Sequence, residues 1–253
     1  MNDMTFPELI TTRAGFDRDT FEQFVEMRGG TGDPVYWYGC GVITSYPEGK
    51  PIARIEGVDL GKLLRPDTSV PKAKMLTRKF VAFRDYETNE LLRDENGKMR
   101  FIGYGYQNFT WSLEGDQLLY EIEQGSKDSI VINKGGQGAE VRTMGGLTVM
   151  TTPVPINSRV VQAWEKYDFL ILPDGSPPPR YQSVWGKYTP NFSWMGEGFC
   201  TMYMWSYRYD SFETLPESYR NIVLNEPGML MWKLPPMDLD EIAELQRTGQ
   251  NYR

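Results

Sequence analysis

The chain reads as an all-β protein, an antiparallel β-barrel with a few peripheral helices, on three observations. From Pro34 onward it is a succession of short runs rich in Val, Ile, Tyr, Phe and Trp. Turn pairs such as Glu48-Gly49, Asn96-Gly97, Glu114-Gly115 and Gly135-Gly136 punctuate those runs. Alternation is strict in Tyr104-Gly-Tyr106 and in Tyr203-Met-Trp205-Ser-Tyr207-Arg-Tyr209, which places each set of aromatics on one sheet face. Two aromatic walls facing one interior are therefore expected, with a calycin or lipocalin-like barrel as the specific form.

The elements follow in order. Asp19-Thr-Phe-Glu22 has capping-box spacing, and Phe21, Phe24 and Val25 supply an apolar stripe for a short helix over 17–27, ended by the glycines from Gly29 to Gly32. Strands are expected at 34–46, 51–58, 75–86, 99–110, 117–123, 129–133, 139–152, 159–172, 181–188 and 198–209. Leu172 to Pro179 is a proline-rich surface loop inside one domain spanning 1–253. A helix over Leu215–Leu224 carries Pro216 in its first turn, and Asp238-Leu-Asp-Glu241 starts another.

Composition narrows the chemistry. A net charge of -7 repels phosphate backbones, so nucleic acid is not an expected partner. The chain has no histidine, which removes Ser-His-Asp and Cys-His nucleophile systems and histidine metal sites together. Cys40 and Cys200 have neither CxxC nor zinc-ligand spacing; reduced thiols are the expectation and a single bridge the alternative. Asp85, Glu87, Asp94 and Glu95 do not follow the calcium-loop ladder, so no metal and no other cofactor is assigned. The N-terminal residues have no basic and then apolar leader pattern and no run reaches membrane-span length, giving an expectation of a cytoplasmic protein.

Candidate site residues come from charge and aromatic placement. Arg54 and Glu56 lie two apart on a strand and so share a face, as an interior acid–base pair or as an ordinary solvated one. In Arg78-Lys-Phe-Val-Ala-Phe-Arg84-Asp85 the pocket is expected on the side of Arg78 and Arg84, with Lys79 guarding a sheet edge. Tyr104, Tyr106, Tyr203 and Trp205, joined by Trp37 and Tyr38, form the densest aromatic set, as ligand wall or as plain core. Lys187 and Trp194 mark an aromatic loop, where Lys187 is an amine nucleophile or a solvated lysine. Gly135-Gly-Gln-Gly138 lacks the P-loop lysine and reads as a hairpin turn.

Several stretches together resemble the family known as domain of unknown function 1838 (DUF1838). They are Val35-Tyr-Trp37-Tyr-Gly39, Ile55-Glu56-Gly57, Thr77-Arg78 through Leu92, Trp185-Gly-Lys187 through Trp194-Met-Gly196, and Tyr207-Arg208-Tyr-Asp-Ser211 to Pro216 with Glu226-Pro227. The resemblance spans nearly the whole chain and implies a shared fold, with no catalytic signature attached.

The expected function is a cofactor-independent lyase or isomerase acting on a small aromatic or hydrophobic molecule inside the barrel. Glu56, Arg54, Arg78 and Tyr104 are its expected catalytic groups. Trp37, Tyr38, Arg84, Tyr106, Lys187, Trp194, Tyr203 and Trp205 are the expected binding residues. The alternative is a non-enzymatic, lipocalin-like carrier, and a homo-oligomer stays open.

Overall fold

Alternating apolar side chains fold the chain into one antiparallel sheet of twelve strands, seen in a computed structural model that describes residues 10–64, 70–125, 131–135, 138–157, 162–173 and 180–248. The strands are β1 (Ile10–Ala14), β2 (Val35–Tyr46), β3 (Pro51–Leu64), β4 (Lys72–Asp85), β5 (Phe101–Glu114) and β6 (Gln117–Gln124). They continue as β7 (Val131–Gly135), β8 (Glu140–Met144), β9 (Leu147–Asn157), β10 (Gln162–Ile171), β11 (Tyr181–Pro190) and β12 (Phe199–Tyr209). Their spatial order is β1-β8-β9-β10-β11-β12-β2-β3-β4-β5-β6-β7, so only the β12–β2 and β1–β8 pairings join strands distant in sequence.

The sheet curls back on itself as a half-barrel. The Tyr120 hydroxyl on β6 donates to the Pro153 carbonyl on β9 at 3.0 Å, although these strands stand near opposite ends of the order. Strand β12 approaches β2 closely at Gly41, where a Cβ would fall 1.9 Å from the Tyr203 carbonyl oxygen.

One helix lies within the curl. Asp17 caps α1 (Arg18–Gly29) by accepting from the Thr20 amide at 2.8 Å, two residues before the Asp19 expected to do so. Phe24 of α1 meets Trp111 of β5 and Phe169 of β10 edge-on, at 5.4 and 5.7 Å. A helix touching both walls plugs one end of the bore. The opposite end is closed by the short 3₁₀ turn Ser193–Met195, where Trp194 packs on Phe83 at 5.2 Å.

The C-terminal segment wraps the outer face. It contains α2 (Glu217–Asn225), the 3₁₀ turn Leu230–Lys233 and α3 (Leu239–Thr248), and buries Tyr219, Trp232 and Phe212 against Tyr36, Tyr38 and Phe80. Asp238 accepts from the Glu241 amide at 2.8 Å, as the capping spacing predicts.

Three local differences from the sequence expectation have physical causes. The run 139–152 is two strands, because Gly145 and Gly146 both take positive φ (53° and 86°) and turn the chain into a hairpin. The short β1 carries no long alternating signal and was not expected. Finally, Thr77 pairs with Gln107 while Lys79 pairs with Tyr104, so β5 holds one residue more than β4 between those pairs. This bulge flips the alternation. Tyr104 faces the bore and Tyr106 the outer side, correcting the single wall expected of them. The proline-rich 174–179 and the turn at 136–137 lie outside the described residues.

Candidate functional site

Inward-facing positions carry a charged layer between two apolar plugs. From β4 comes Lys79, from β3 Asp59, from β10 Glu165 and Tyr167, from β11 Lys187, from β5 Tyr104, and from the last turn of α1 Arg28. Glu165 and Lys187 are directly opposed in register, and the Lys187 ammonium donates to the Glu165 carboxylate at 2.8 Å. The Tyr167 hydroxyl adds a second bond to Glu165 at 3.0 Å. Arg28 pairs with Asp59 at 2.5 Å, and both are largely buried. The Lys79 ammonium sits 4.7 Å from the centroid of the Trp185 ring, and no ion pair within 4.0 Å joins it to any described residue.

These environments separate the protonation behaviour of the groups. Burial alone would raise the Glu165 carboxyl, but the charges of Lys187 and Lys79 and its two hydrogen bonds hold it down at about 2. Burial alone would lower Lys187, and the adjacent Glu165 overrides that and raises it. For Lys79 burial wins: the ammonium is lowered below the usual lysine range, with Lys187 and Arg28 adding to the effect and Glu165 and Asp59 opposing it. Burial raises the hydroxyls of Tyr104 and Tyr167, so both stay protonated donors at neutral pH.

A cavity of about 30 Å³ lies in this layer, lined by Arg28, Asp59, Lys79, Tyr167, Ser183, Trp185 and Ser206 among others. A second cavity of about 20 Å³ shares Arg28, Tyr167 and Phe169 with it and is otherwise lined mainly by Phe24, Phe109, Trp111, Tyr120 and Val154. Each has room for a water or two, or for the head or tail of a small ligand. Arg28 Nη1, Asp59 Oδ1 and Trp185 Nε1 are buried and have no hydrogen-bond partner among the described residues, and all three belong to residues lining the larger cavity.

The residues singled out in the sequence divide between the two faces. Trp37, Tyr104, Lys187 and Trp194 line or close the bore; Trp37 Nε1 donates to the Arg28 carbonyl at 3.0 Å. Lys187 is neither solvated nor a free amine, because its ion pair keeps it protonated.

Glu56, Tyr38 and Arg84 meet instead on the outer face beneath α2. Glu56 Oε1 accepts from the Tyr38 hydroxyl at 2.8 Å and from Ser218, while Oε2 accepts from Arg84 Nε and Nη2 at 2.7 and 2.6 Å. A carboxylate with its acceptor sites filled is a clamp for α2 and has no lone pair free to take a substrate proton. Arg54 does not join it: it donates to the Tyr86 carbonyl at 2.8 Å on the exposed side. Arg78 binds the carbonyls of Gly105, Met231 and Leu234 and the Glu241 carboxylate, all between 2.6 and 2.9 Å, fastening the C-terminal segment to the sheet. Tyr106 accepts from Gln246 of α3 at 3.0 Å. Tyr203 and Trp205 lie on the outer face, 52% and 36% exposed. The expected interior on the side of Arg78 and Arg84 is thus reversed, and Lys79, expected at an edge, points inward from a central strand.

Lys79, Glu165, Arg28, Asp59, Tyr167 and Trp185 were not singled out as a site. A signal was present: Glu165, Tyr167, Phe169 and Ile171 alternate as one face headed by a carboxylate, and Lys79 shares its face with Val81 and Phe83.

Cys40 and Cys200 are free and project from opposite faces of the sheet. Among the described residues no helix is long and apolar enough to cross a membrane. No family model, no curated protein and no solved structure matches the chain.

Proposed function

We propose that the chain is a cofactor-independent lyase or isomerase that transfers a proton on a small aromatic or otherwise hydrophobic molecule held inside the half-barrel. The observation that carries this reading is the layer in which two lysines and a carboxylate converge beside a cavity bordered by unpartnered polar atoms. Such convergence in a concave apolar interior is what a binding or reacting site requires.

In this reading Lys79 is the group that gives up and regains a proton, because burial loosens its hold on one. Glu165 and Lys187 stay ionised as a fixed pair and set the field in which Lys79 works. Tyr104, a protonated donor in the same layer, serves developing charge on a substrate oxygen. Trp185, Tyr167 and Phe169 offer flat faces for a planar substrate. Free thiols on both faces of the sheet suit a cytoplasmic setting.

The test is to incubate the protein with a fractionated small-molecule extract and follow masses and retention times. A new product that Lys79→Met forms roughly 10²–10⁴-fold more slowly supports the reading. Retention of one molecule unchanged supports the alternative of a non-enzymatic binding protein. Product formed equally by Lys79→Met removes the proposed role.

A further inference from the structure

Building on the reading of the interior as a small-molecule site, we infer that its ligand is a small monoanion with an apolar body, whose oxyanion seats between Lys79, Arg28 and Trp185. The charge of the bore favours an anion. Among the described residues Arg28, Lys79 and Lys187 face Asp59 and Glu165 in the bore, three basic groups against two carboxylates, which leaves one positive charge over when Lys79 is protonated. The other titratable groups turned to this layer, Tyr104, Tyr120, Tyr167 and Cys200, are neutral at pH 7. Arg208, at the rim, is committed to the Glu26 and Met27 carbonyls of α1 at 2.8 and 2.9 Å and to Asp210. An excess buried charge is costly, and one carboxylate, enolate or phenolate would offset it.

The unpartnered hydrogen-bonding groups favour an acceptor. Arg28 Nη1 and Trp185 Nε1 are unpartnered donors, each on a residue less than one-tenth exposed, and both residues line the cavity with the Lys79 ammonium. Ser183 and Ser206 add hydroxyls there. Against these donors stands one unpartnered acceptor among the described residues that line the cavity, Asp59 Oδ1. A donor-rich pocket takes an oxygen acceptor, and a charged one binds it more strongly.

The cavity that holds the unpartnered donors shares Arg28, Tyr167 and Phe169 with a second one that is mainly aromatic. A ligand spanning both needs an anionic head and a small apolar tail, as in a short-chain or aromatic monocarboxylate.

Titration calorimetry of the whole chain at pH 7 with propionate and benzoate, each against its neutral amide, tests this directly. The expected result is binding of an acid at least about tenfold tighter than its amide, a preference lost in Lys79→Met, where the charges balance. Amides binding as tightly as acids in the wild-type chain overturn the inference without any variant. Absence of binding by every probe also overturns it, whereas the lyase or isomerase reading stands or falls separately on product formation from the extract.

Discussion

Inside the half-barrel, Lys187 takes Glu165 for itself: the two are opposed in register on adjacent strands, bonded at 2.8 Å, and Lys79 is left with an aromatic ring and, among the described residues, no carboxylate in ion-pair contact. Burial lowers both lysines and the carboxylate raises both: burial wins at Lys79, and the directly bonded Glu165 wins at Lys187. Removing the carboxylate strands both cations. Glu165→Gln is expected to lose about 3–5 kcal/mol of unfolding free energy in urea titrations, with much of the loss restored by adding Lys187→Met. A double variant no more stable than the single one would show that the pair is not the source of the cost.

Acid should weaken the fold through the same carboxylate. Glu165 has its folded pKa held at about 2, below the ordinary 4.5, so it binds fewer protons folded than unfolded between those values. Its contribution is therefore present above pH 4.5 and is lost as pH falls towards 2. Denaturation midpoints measured across that window should fall more steeply for the wild type than for the Glu165→Gln/Lys187→Met variant.

Glu56 should matter for stability and not for turnover. Its carboxylate joins β3 to Tyr38, Arg84 and α2 on the outer face. Glu56→Ala strands the Arg84 guanidinium and should cost about 3–5 kcal/mol. Activity per folded molecule, measured well below the lowered midpoint, should stay unchanged; a selective loss of activity would return Glu56 to the reacting site.

Arg78 should act as a fastener. Arg78→Met removes hydrogen bonds to Met231, Leu234 and Glu241 together. Hydrogen exchange should accelerate over 230–248 while the strands bordering the bore keep their protection. Uniform acceleration across the sheet would mean that Arg78 supports the core instead.

The strands were legible because their alternation and glycine turns are local signals, and ten expected runs correspond to eleven of the strands seen. Which face lines the bore was not legible, for reasons specific to this chain. A strand's alternation says which residues share a side but not which side curls inward, and Arg54, Glu56, Arg78 and Arg84 all lie on the outer one. The bulge at Gly105 then separates Tyr104 from Tyr106, which alternation alone had joined. The outer face is itself buried, because the C-terminal segment folds back over it and gives Glu56 and Arg78 the burial expected of interior residues. Lys79 shows the converse error: a lysine on a strand reads as an edge guard unless the aromatic ring that receives it, Trp185 more than a hundred residues away, is known.

The central claim is that the bore binds a small molecule beside Lys79, and native mass spectrometry tests it most directly. Wild-type protein and Lys79→Met are incubated with the same small-molecule extract, desalted, weighed intact and then denatured to identify anything released. The account predicts a stoichiometric adduct on the wild type that is lost or sharply reduced on Lys79→Met. No adduct on either protein, or the same adduct on both, would contradict it.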